Sequence, residues 1–247
     1  MAFVDYQKKD SIVIITINRP DRLNALGHEV TAGLQDACKK FEDDEEARVA
    51  ILTGTGRAFS AGADIKEMGA LERLPVDAAI NAVGAVTKPI IAAVNGFALG
   101  GGCSLMGECD IRIAVESATF GWPEITVGLR GGGDRYIAQG FPLCMAMELT
   151  LTGDRITAQR AYEVGLVNKV VPEEELMPTA MKLAERITGL PSLAVRLNKL
   201  AIVSAKRKVD GSTELRQKIS GELLASEEHL EAVKAFAEKR KPVFKGK

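Results

Sequence analysis

The chain has 247 residues, with 32 Lys and Arg against 33 Asp and Glu, so its formal net charge at pH 7 is −1. Apolar residues make up 46% and charged residues 26%, proportions typical of a globular domain and not of a disordered or fibrous chain. The balanced charge argues against nucleic-acid binding, and the longest apolar stretches fall short of the ~20 residues that span a membrane. Glycine accounts for 24 residues. We therefore expect close backbone approaches, either within the chain or to a ligand.

A metal site is not expected from the sequence. The chain has four cysteines and two histidines, and none of them forms a CxxC or similar ligand pattern. Catalysis is therefore expected to depend on carboxylates, backbone donors or cysteine. Lys8, Lys9 and Asp10 interrupt the first apolar run, which argues against a signal peptide. We predict reduced cysteines and a cytoplasmic location.

In chain order, the hydrophobic periodicity predicts strands that alternate with helices. The predicted strands are 11–18, 48–53, 90–94, 111–115 and 166–171. The predicted helices are 28–41, 76–86, 173–188, 192–208 and 213–240. Most strands are too apolar for one face to meet solvent, so we predict an α/β fold with internal strands. We divide the chain into a core of residues 1–190 and a helical C-terminal region of residues 191–247.

Two segments of small residues follow predicted strands. In the first, residues 58–68, the run Ser60–Ala63 leaves backbone N–H groups open to a ligand, although a tight turn capped by Asp64 also explains it. In the second, Gly100–Gly102 begin a predicted helix that ends at Gly107. A helix N-terminus exposes unpaired N–H groups and a positive dipole end, which suit an anion such as a transient enolate oxygen. A turn packed closely under another element is the alternative. The pattern matches neither a phosphate-binding P-loop nor a dinucleotide fingerprint.

A third segment, residues 120–135, contains a candidate acid or base. Glu124 lies between Trp122, Ile125 and Val127, and apolar surroundings raise the pKa of a carboxyl group toward neutrality. A capping or ion-paired surface glutamate is the alternative. A second glycine triplet follows at residues 131–133.

Together, these segments resemble the crotonase superfamily, also called the enoyl-CoA hydratase/isomerase family. The resemblance extends nearly end to end, through Asn18-Arg19-Pro20, Asn24-Ala25-Leu26, residues 60–68, residues 94–103, Cys109-Asp110, Phe120-Gly121, Pro123-Glu124, Ala161, Gly165-Leu166-Val167 and residues 236–242. It implies a crotonase-like spiral of ββα units with a C-terminal helical trimerisation region. It also implies assembly into a homotrimer or hexamer. The implied substrates are acyl-CoA thioesters, with coenzyme A as part of the substrate, no separate cofactor, and neither a nucleic-acid nor a membrane partner.

The resemblance also implies a site. The backbone N–H groups of Ala63 and Gly101 would form an oxyanion hole for the thioester oxygen, and Glu124 would be the acid/base. The residues that it places near coenzyme A or the acyl group are Arg22, Leu23, Ala25, Ala61, Asp64, Ile65, Lys66, Gly100, Trp122 and Lys239. Among these, Lys239 would reach the nucleotide of a neighbouring subunit.

The sequence departs from the family pattern at two places. Hydratases of this family use two glutamates, and Ser104 stands where the first is expected; serine has no useful basicity without an adjacent base. Glu108 lies one helical turn, ~5.4 Å, further on and is a candidate replacement. The loop at 129–135 is also atypical. There Asp134 is a candidate second acid, or else a cap for a helix at 135–140 paired with an arginine.

Four functions remain open from the sequence. The first is addition and elimination of water on an enoyl- or 3-hydroxyacyl-CoA, which the overall similarity favours. The second is a double-bond isomerase in which Glu124 acts alone. The third is a CoA-thioester hydrolase or C–C lyase that recruits Asp134, and the fourth is a non-catalytic acyl-CoA-binding paralogue. Ser104 favours the last three over ordinary hydration.

Overall fold

The computed structural model describes residues 3–67, 76–134, 141–209, 221 and 224–243. The strands are β1 Val4–Lys9, β2 Ile12–Ile17, β3 Val49–Gly54, β4 Ala58–Ser60, β5 Ile90–Val94, β6 Phe97–Leu99, β7 Ile111–Val115, β8 Thr119–Gly121, β9 Arg155–Thr157 and β10 Lys169–Val171. The α-helices are α1 His28–Asp43, α2 Val76–Ala85, α3 Gly101–Gly107, α4 Leu143–Thr152, α5 Ala158–Glu163, α6 Leu176–Thr188, α7 Ser192–Val209 and α8 Glu227–Ala237. Short 3-10 helices lie at Pro20–Arg22, Pro123–Val127 and Glu173–Glu175.

The described strands form two sheets that are built in parallel steps. The larger has the order β1-β2-β3-β5-β7-β10 and the smaller the order β4-β6-β8-β9. Within them, β1 and β9 pair antiparallel with their neighbours, and the other pairs are parallel. In each of the successive pairs β3–β4, β5–β6 and β7–β8, the first strand joins the larger sheet and the second joins the smaller. The predicted α/β spiral of ββα units is confirmed.

The central strands are buried on both faces. In β3 every residue except Gly54 is buried, and in β5 every residue is buried. Helix α6 packs against β3, β5 and β7, while Phe59 and Phe120 of the smaller sheet join the same hydrophobic core. Strands covered on both faces read as continuous apolar runs, which is why the sequence located them well.

Helix α1 buries the face that its sequence period predicts. Its buried apolar residues are Val30, Leu34, Ala37, Cys38 and Phe41. This stripe at intervals of three and four residues is the one that an amphipathic helix turns toward a core. The helix thereby packs against β1, β2 and α2.

Some predicted boundaries differ from the structure. Strand β10 begins at Lys169 and not at 166, because the backbone N–H groups of Leu166 and Val167 donate to the carbonyl of Ala161 at the end of α5. The predicted helix 213–240 is shorter in its described part, where α8 begins after the N-cap Ser226 and ends at Ala237; residues 210–220 and 222–223 lie outside the described residues. The predicted helix at 135–140 also lies outside them. None of the described helices is long and apolar enough to cross a membrane. The division at residue 190 stays a prediction.

Candidate active site

A cavity of about 920 Å³ opens where the loops after β4, β6 and β8 meet. Its wall includes Ala63, Gly101, Ser104 and Glu124. Each of the three ββα units thus contributes one loop to the same place. The structure brings the three sequence segments with candidate chemistry together in one cavity.

The first loop presents the backbone N–H of Ala63. After β4 ends at Ser60, Gly62 has a φ of +90°, a value that side-chain-bearing residues rarely adopt. The N–H of Leu26 donates to the Gly62 carbonyl at 2.7 Å, and the N–H of Asp64 donates to the Leu26 carbonyl at 3.4 Å. These bonds hold the residues on both sides of Ala63, whose own N–H donates to no acceptor among the described residues.

The second loop presents the backbone N–H of Gly101. After β6 ends, Gly100 has a φ of +54°, and its N–H donates to the Gly121 carbonyl at 2.8 Å. Gly101 is the first residue of α3, where N–H groups have no acceptor within the helix and lie at the positive end of its dipole. Within the described part of the chain, the Gly101 N–H is also without an acceptor. This arrangement repeats that of Ala63 one spiral turn later.

The two donor loops touch backbone to backbone. A Cβ atom placed on Gly62 would lie 2.7 Å from the carbonyl oxygen of Leu99 and 3.0 Å from the nitrogen of Gly101. No side chain fits between the loops, and their spacing is fixed by packing. Fixed donors of this kind stabilise a developing oxyanion without rearranging during the reaction.

An ion cluster, which we call the Arg19 clamp, holds the loop just after Ala63. The Arg19 guanidinium pairs with the carboxylates of Asp64 and Glu67, each at 2.9 Å. The second oxygen of Glu67 accepts from the backbone N–H of His28 at 2.9 Å, which is the start of α1. The Arg19 side chain is only 12% exposed, so water weakens these pairs little. The clamp joins the Ala63 loop to the start of α1.

Glu124 lies in the third loop, in the 3-10 helix Pro123–Val127, and Pro123 sets the backbone angle of its first residue. Its carboxyl group lies beside the second donor loop, since a Cβ atom on Gly100 would be 3.0 Å from Glu124 Oε1. The Oε2 atom is buried without a hydrogen-bond partner among the described residues. Burial raises the pKa of Glu124 to about 7, against a smaller opposing effect of the Arg130 charge. Near neutral pH, Glu124 can therefore both accept and donate a proton.

The other candidate catalytic side chains are placed differently. Ser104 lies one turn into α3, is 4% exposed and lines the cavity, with its hydroxyl against Gly132. The carboxylate of Glu108 points instead toward α2, where a Cβ atom on Gly84 would be 2.7 Å from it. Asp134 pairs with Arg130 at 2.8 Å. Of that pair, Arg130 forms part of the cavity wall and Asp134 does not.

Most of the residues expected near coenzyme A line this same cavity. They are Arg22, Leu23, Ala25, Ala61, Asp64, Ile65, Lys66 and Gly100. Trp122 lies in the core instead, fully buried and edge-to-face with Phe141 at 6.2 Å. Lys239 is exposed after α8, and its expected contact with a neighbouring subunit stays a prediction.

The cavity wall also contains residues that the sequence analysis missed. Arg155 lies over the ring of Phe97 at 5.8 Å, and both line the cavity together with Arg57. Arg155 belongs to the three-residue strand β9, which is too short to leave a periodic pattern in the sequence. Phe236 of α8 adds an apolar wall. Within the described ranges, no group of His, Cys, Asp and Glu side chains is arranged to hold a metal ion.

Known proteins resemble this chain over nearly its whole length. A family model described as enoyl-CoA hydratase/isomerase matches residues 7–247. A probable mitochondrial enoyl-CoA hydratase of Dictyostelium discoideum is 40% identical over 252 residues, covering 98% of this chain and 90% of its own. The short-chain-enoyl-CoA hydratase of Clostridium acetobutylicum is 39% identical, covering 95% and 94%. A crystal structure of carnitinyl-CoA hydratase from Mycobacterium avium superposes with a TM-score of 0.89 at 37% identity, covering 100% of both chains.

Proposed function

Since the chain belongs to the enoyl-CoA hydratase/isomerase family, we propose that this enzyme reversibly adds water to the double bond of an enoyl-CoA thioester. One observation supports this most directly. The Glu124 carboxyl, with a pKa raised to about 7, lies beside Gly100 in the loop that presents the Gly101 N–H, and the N–H groups of Gly101 and Ala63 have no acceptor among the described residues. That combination matches the needs of an enolate intermediate.

The N–H groups of Ala63 and Gly101 would hold the thioester carbonyl oxygen. When water adds to the β-carbon, the electrons of the double bond move toward that oxygen, and the negative charge there grows. Hydrogen bonds that strengthen with this charge lower the barrier, and the loss of one such donor costs about 3–4 kcal/mol. The donors are main-chain groups, so the family-defining part of the site depends on backbone geometry.

Glu124 would transfer the protons of the reaction. As the carboxylate, it takes a proton from water while the water oxygen bonds to the β-carbon; as the acid, it gives a proton to the α-carbon of the enolate. The sum is one water added across the double bond, with Glu124 returned to its starting form. A group with a pKa near the working pH is suited to both steps.

Double-bond isomerisation is the second candidate, and the position of Ser104 favours it. Of the candidate carboxyls Glu108, Glu124 and Asp134, only that of Glu124 lines the cavity. Moving a double bond requires one group that takes a proton from one carbon and returns it to another, with no activated water. A single carboxyl is sufficient for that reaction.

The decisive assay follows the enoyl absorbance of crotonyl-CoA with the purified protein. Loss of absorbance indicates hydration, whereas conversion of a 3-enoyl-CoA without hydration indicates isomerisation. Release of the free CoA thiol would instead indicate a hydrolase. Tight thioester binding without turnover would indicate a non-catalytic binding protein and refute the proposal.

The variant Glu124→Gln should lose turnover and retain binding of the thioester, measured by calorimetry. Glu148→Gln is the matched control, because Glu148 is exposed on α4 away from the cavity. An unchanged rate in Glu124→Gln would contradict both the hydratase and the isomerase mechanisms.

We propose that the cationic wall at Arg22 and Lys66 meets the nucleotide part of coenzyme A, which carries phosphates. Exchanging either cation for Gln should raise KM with kcat nearly unchanged. No cofactor besides the CoA moiety of the substrate is proposed. Location in the cytoplasm stays a prediction, to be tested by cell fractionation.

We also propose self-association as a homotrimer or hexamer. Apolar side chains at helical spacing are exposed along α4 and α7, a pattern that soluble proteins usually cover with a partner. These residues are Leu143, Met147, Leu151, Leu193, Leu197 and Leu200. Light scattering coupled to gel filtration measures the mass, and a monomer at micromolar concentration would refute this proposal.

A further inference from the structure

We infer that His229 is a positioning residue for Glu124, which it holds through the backbone of the 3-10 helix Pro123–Val127. This inference rests on the proposed function, in which Glu124 is the acid/base. His229 belongs to α8, about a hundred positions further along the chain than Glu124. A side-chain hydrogen bond of His229 connects α8 to that 3-10 helix.

The imidazole of His229 contacts the end of that 3-10 helix. Its Nδ1 atom lies 2.7 Å from the carbonyl oxygen of Val127, and the residue is 1% exposed. Because a carbonyl oxygen only accepts, Nδ1 bears the proton in this bond. The Nε2 atom is buried and has no hydrogen-bond partner among the described residues, so the bond to Val127 is the polar contact that the ring makes there.

The position of the imidazole is itself fixed. Ser226 caps α8, since its hydroxyl accepts from the backbone N–H of His229 at 3.2 Å. A Cβ atom on Gly128 would lie 2.8 Å from the Cα atom of His229, so the two backbones touch. Ala232 and Ala235 are buried, and α8 packs against the 3-10 helix Pro123–Val127. The hydrogen bond therefore joins two elements in direct contact.

The hydrogen bond from His229 is made to Val127, three residues after Glu124. Glu124 and Val127 lie in one short 3-10 helix, and the carbonyl of Glu124 accepts from the N–H of Leu129 at 2.9 Å. Removal of the His229 donor leaves the Val127 carbonyl without its partner and frees the turn to shift. A shift of about 1 Å at a reacting group is enough to cost about 100-fold in rate. The cationic wall at Arg22 and Lys66 is formed by other loops, so KM should change little.

The test compares two replacements of nearly equal shape. In His229→Asn, the side-chain nitrogen occupies the place of Nδ1 and can still donate to Val127, whereas His229→Leu fills the same space without a donor. We expect His229→Leu to lower kcat for crotonyl-CoA hydration about 10- to 100-fold with KM within about 2-fold. His229→Asn should keep kcat within about 3-fold of wild type. Gln159→Leu is the control, because it removes the side-chain donor of an exposed residue of α5.

Equal kcat values for the Leu and Asn variants, whether high or low, overturn the inference. If the Leu variant does not fold, Gln replaces it, because its amide nitrogen is one bond further out than Nδ1 and misses the carbonyl. A second readout is independent of turnover. The carboxyl ¹³C resonance of Glu124, identified by its loss in Glu124→Gln, should change its titration midpoint in His229→Leu and keep it in His229→Asn. An inactive wild-type protein would refute the proposed function alone, while this titration would still decide the role of His229.

Discussion

Replacing Glu124 by Gln should stabilise the fold at alkaline pH while it abolishes turnover. The pKa of Glu124 is raised from 4.5 to about 7 because burial disfavours its charged form. One pKa unit corresponds to about 1.4 kcal/mol, so the fold disfavours the carboxylate by about 3 kcal/mol. The amide of Gln is close in shape and never charged. The variant therefore escapes this cost.

The direction of the pH dependence follows from proton binding. Between pH 4.5 and 7 the folded protein binds the Glu124 proton and the unfolded chain has lost it. The free energy of unfolding therefore falls as the pH rises through this window, and the destabilisation is complete above pH 7. At pH 8.5 we expect Glu124→Gln to be more stable than wild type by about 3 kcal/mol relative to the same comparison at pH 4.5.

Urea unfolding followed by circular dichroism measures this difference at both pH values, at one fixed protein concentration because association shifts the transition. Glu148→Gln controls for the removal of one negative charge from the surface. The reasoning fails if the stability difference between Glu124→Gln and wild type is the same at pH 4.5 and pH 8.5. In a separate kinetic assay, kcat/KM of the wild type should fall as the pH decreases below about 7, because Glu124 then becomes protonated.

Three further predictions concern position 104, the loops that present the backbone donors, and the Arg19 clamp. Ser104→Glu should raise the rate of crotonyl-CoA hydration by about 100-fold, measured by enoyl absorbance, if this position marks the functional divergence; an unchanged rate contradicts that. Gly62→Ala should lower kcat by about 100-fold, because its Cβ would lie 2.7 Å from the carbonyl of Leu99 and displace a donor loop. Arg19→Gln should cost about 3 kcal/mol in urea unfolding, since it leaves two carboxylates unpaired in a largely buried place. Arg160→Gln, which breaks an exposed pair, should cost less than about 1 kcal/mol and serves as its control.

The helices and strands could be predicted where the hydrophobic pattern fits only one kind of element. Strands β3 and β5 are apolar throughout because both their faces are buried, and α1 shows its stripe at helical spacing. The three-residue strands β4, β6 and β8 gave no such pattern, since a period cannot be read over three residues. Yet these short strands place the three loops of the site.

The sequence indicated the candidate acid/base of the site, and it did not indicate the side chains that hold the site's loops in place. Glu124 was found from its apolar neighbours, and the structure gives the raised pKa that those neighbours predict. The Arg19 clamp was not found, because its members are separated in the chain and charged residues at such spacing occur on any surface. No local sequence motif around His229 indicates a role for it. A contact between α8 and a turn more than a hundred residues earlier exists only in three dimensions.

Of the candidate carboxyls Glu108, Glu124 and Asp134, only that of Glu124 lines the cavity, and this limits the proton transfers that we expect there. A hydroxyl such as that of Ser104 can hold a water by hydrogen bonds, but it cannot remove a proton from the water near neutral pH. In the proposed reaction, a proton that leaves an attacking water therefore goes to Glu124, which also supplies the proton for the α-carbon. Both proposed reactions, hydration and isomerisation, therefore use Glu124, and they differ in whether a water reaches the β-carbon. Ser104 and Glu124 both line the cavity, so we expect the side chain at position 104 to influence which of the two reactions dominates.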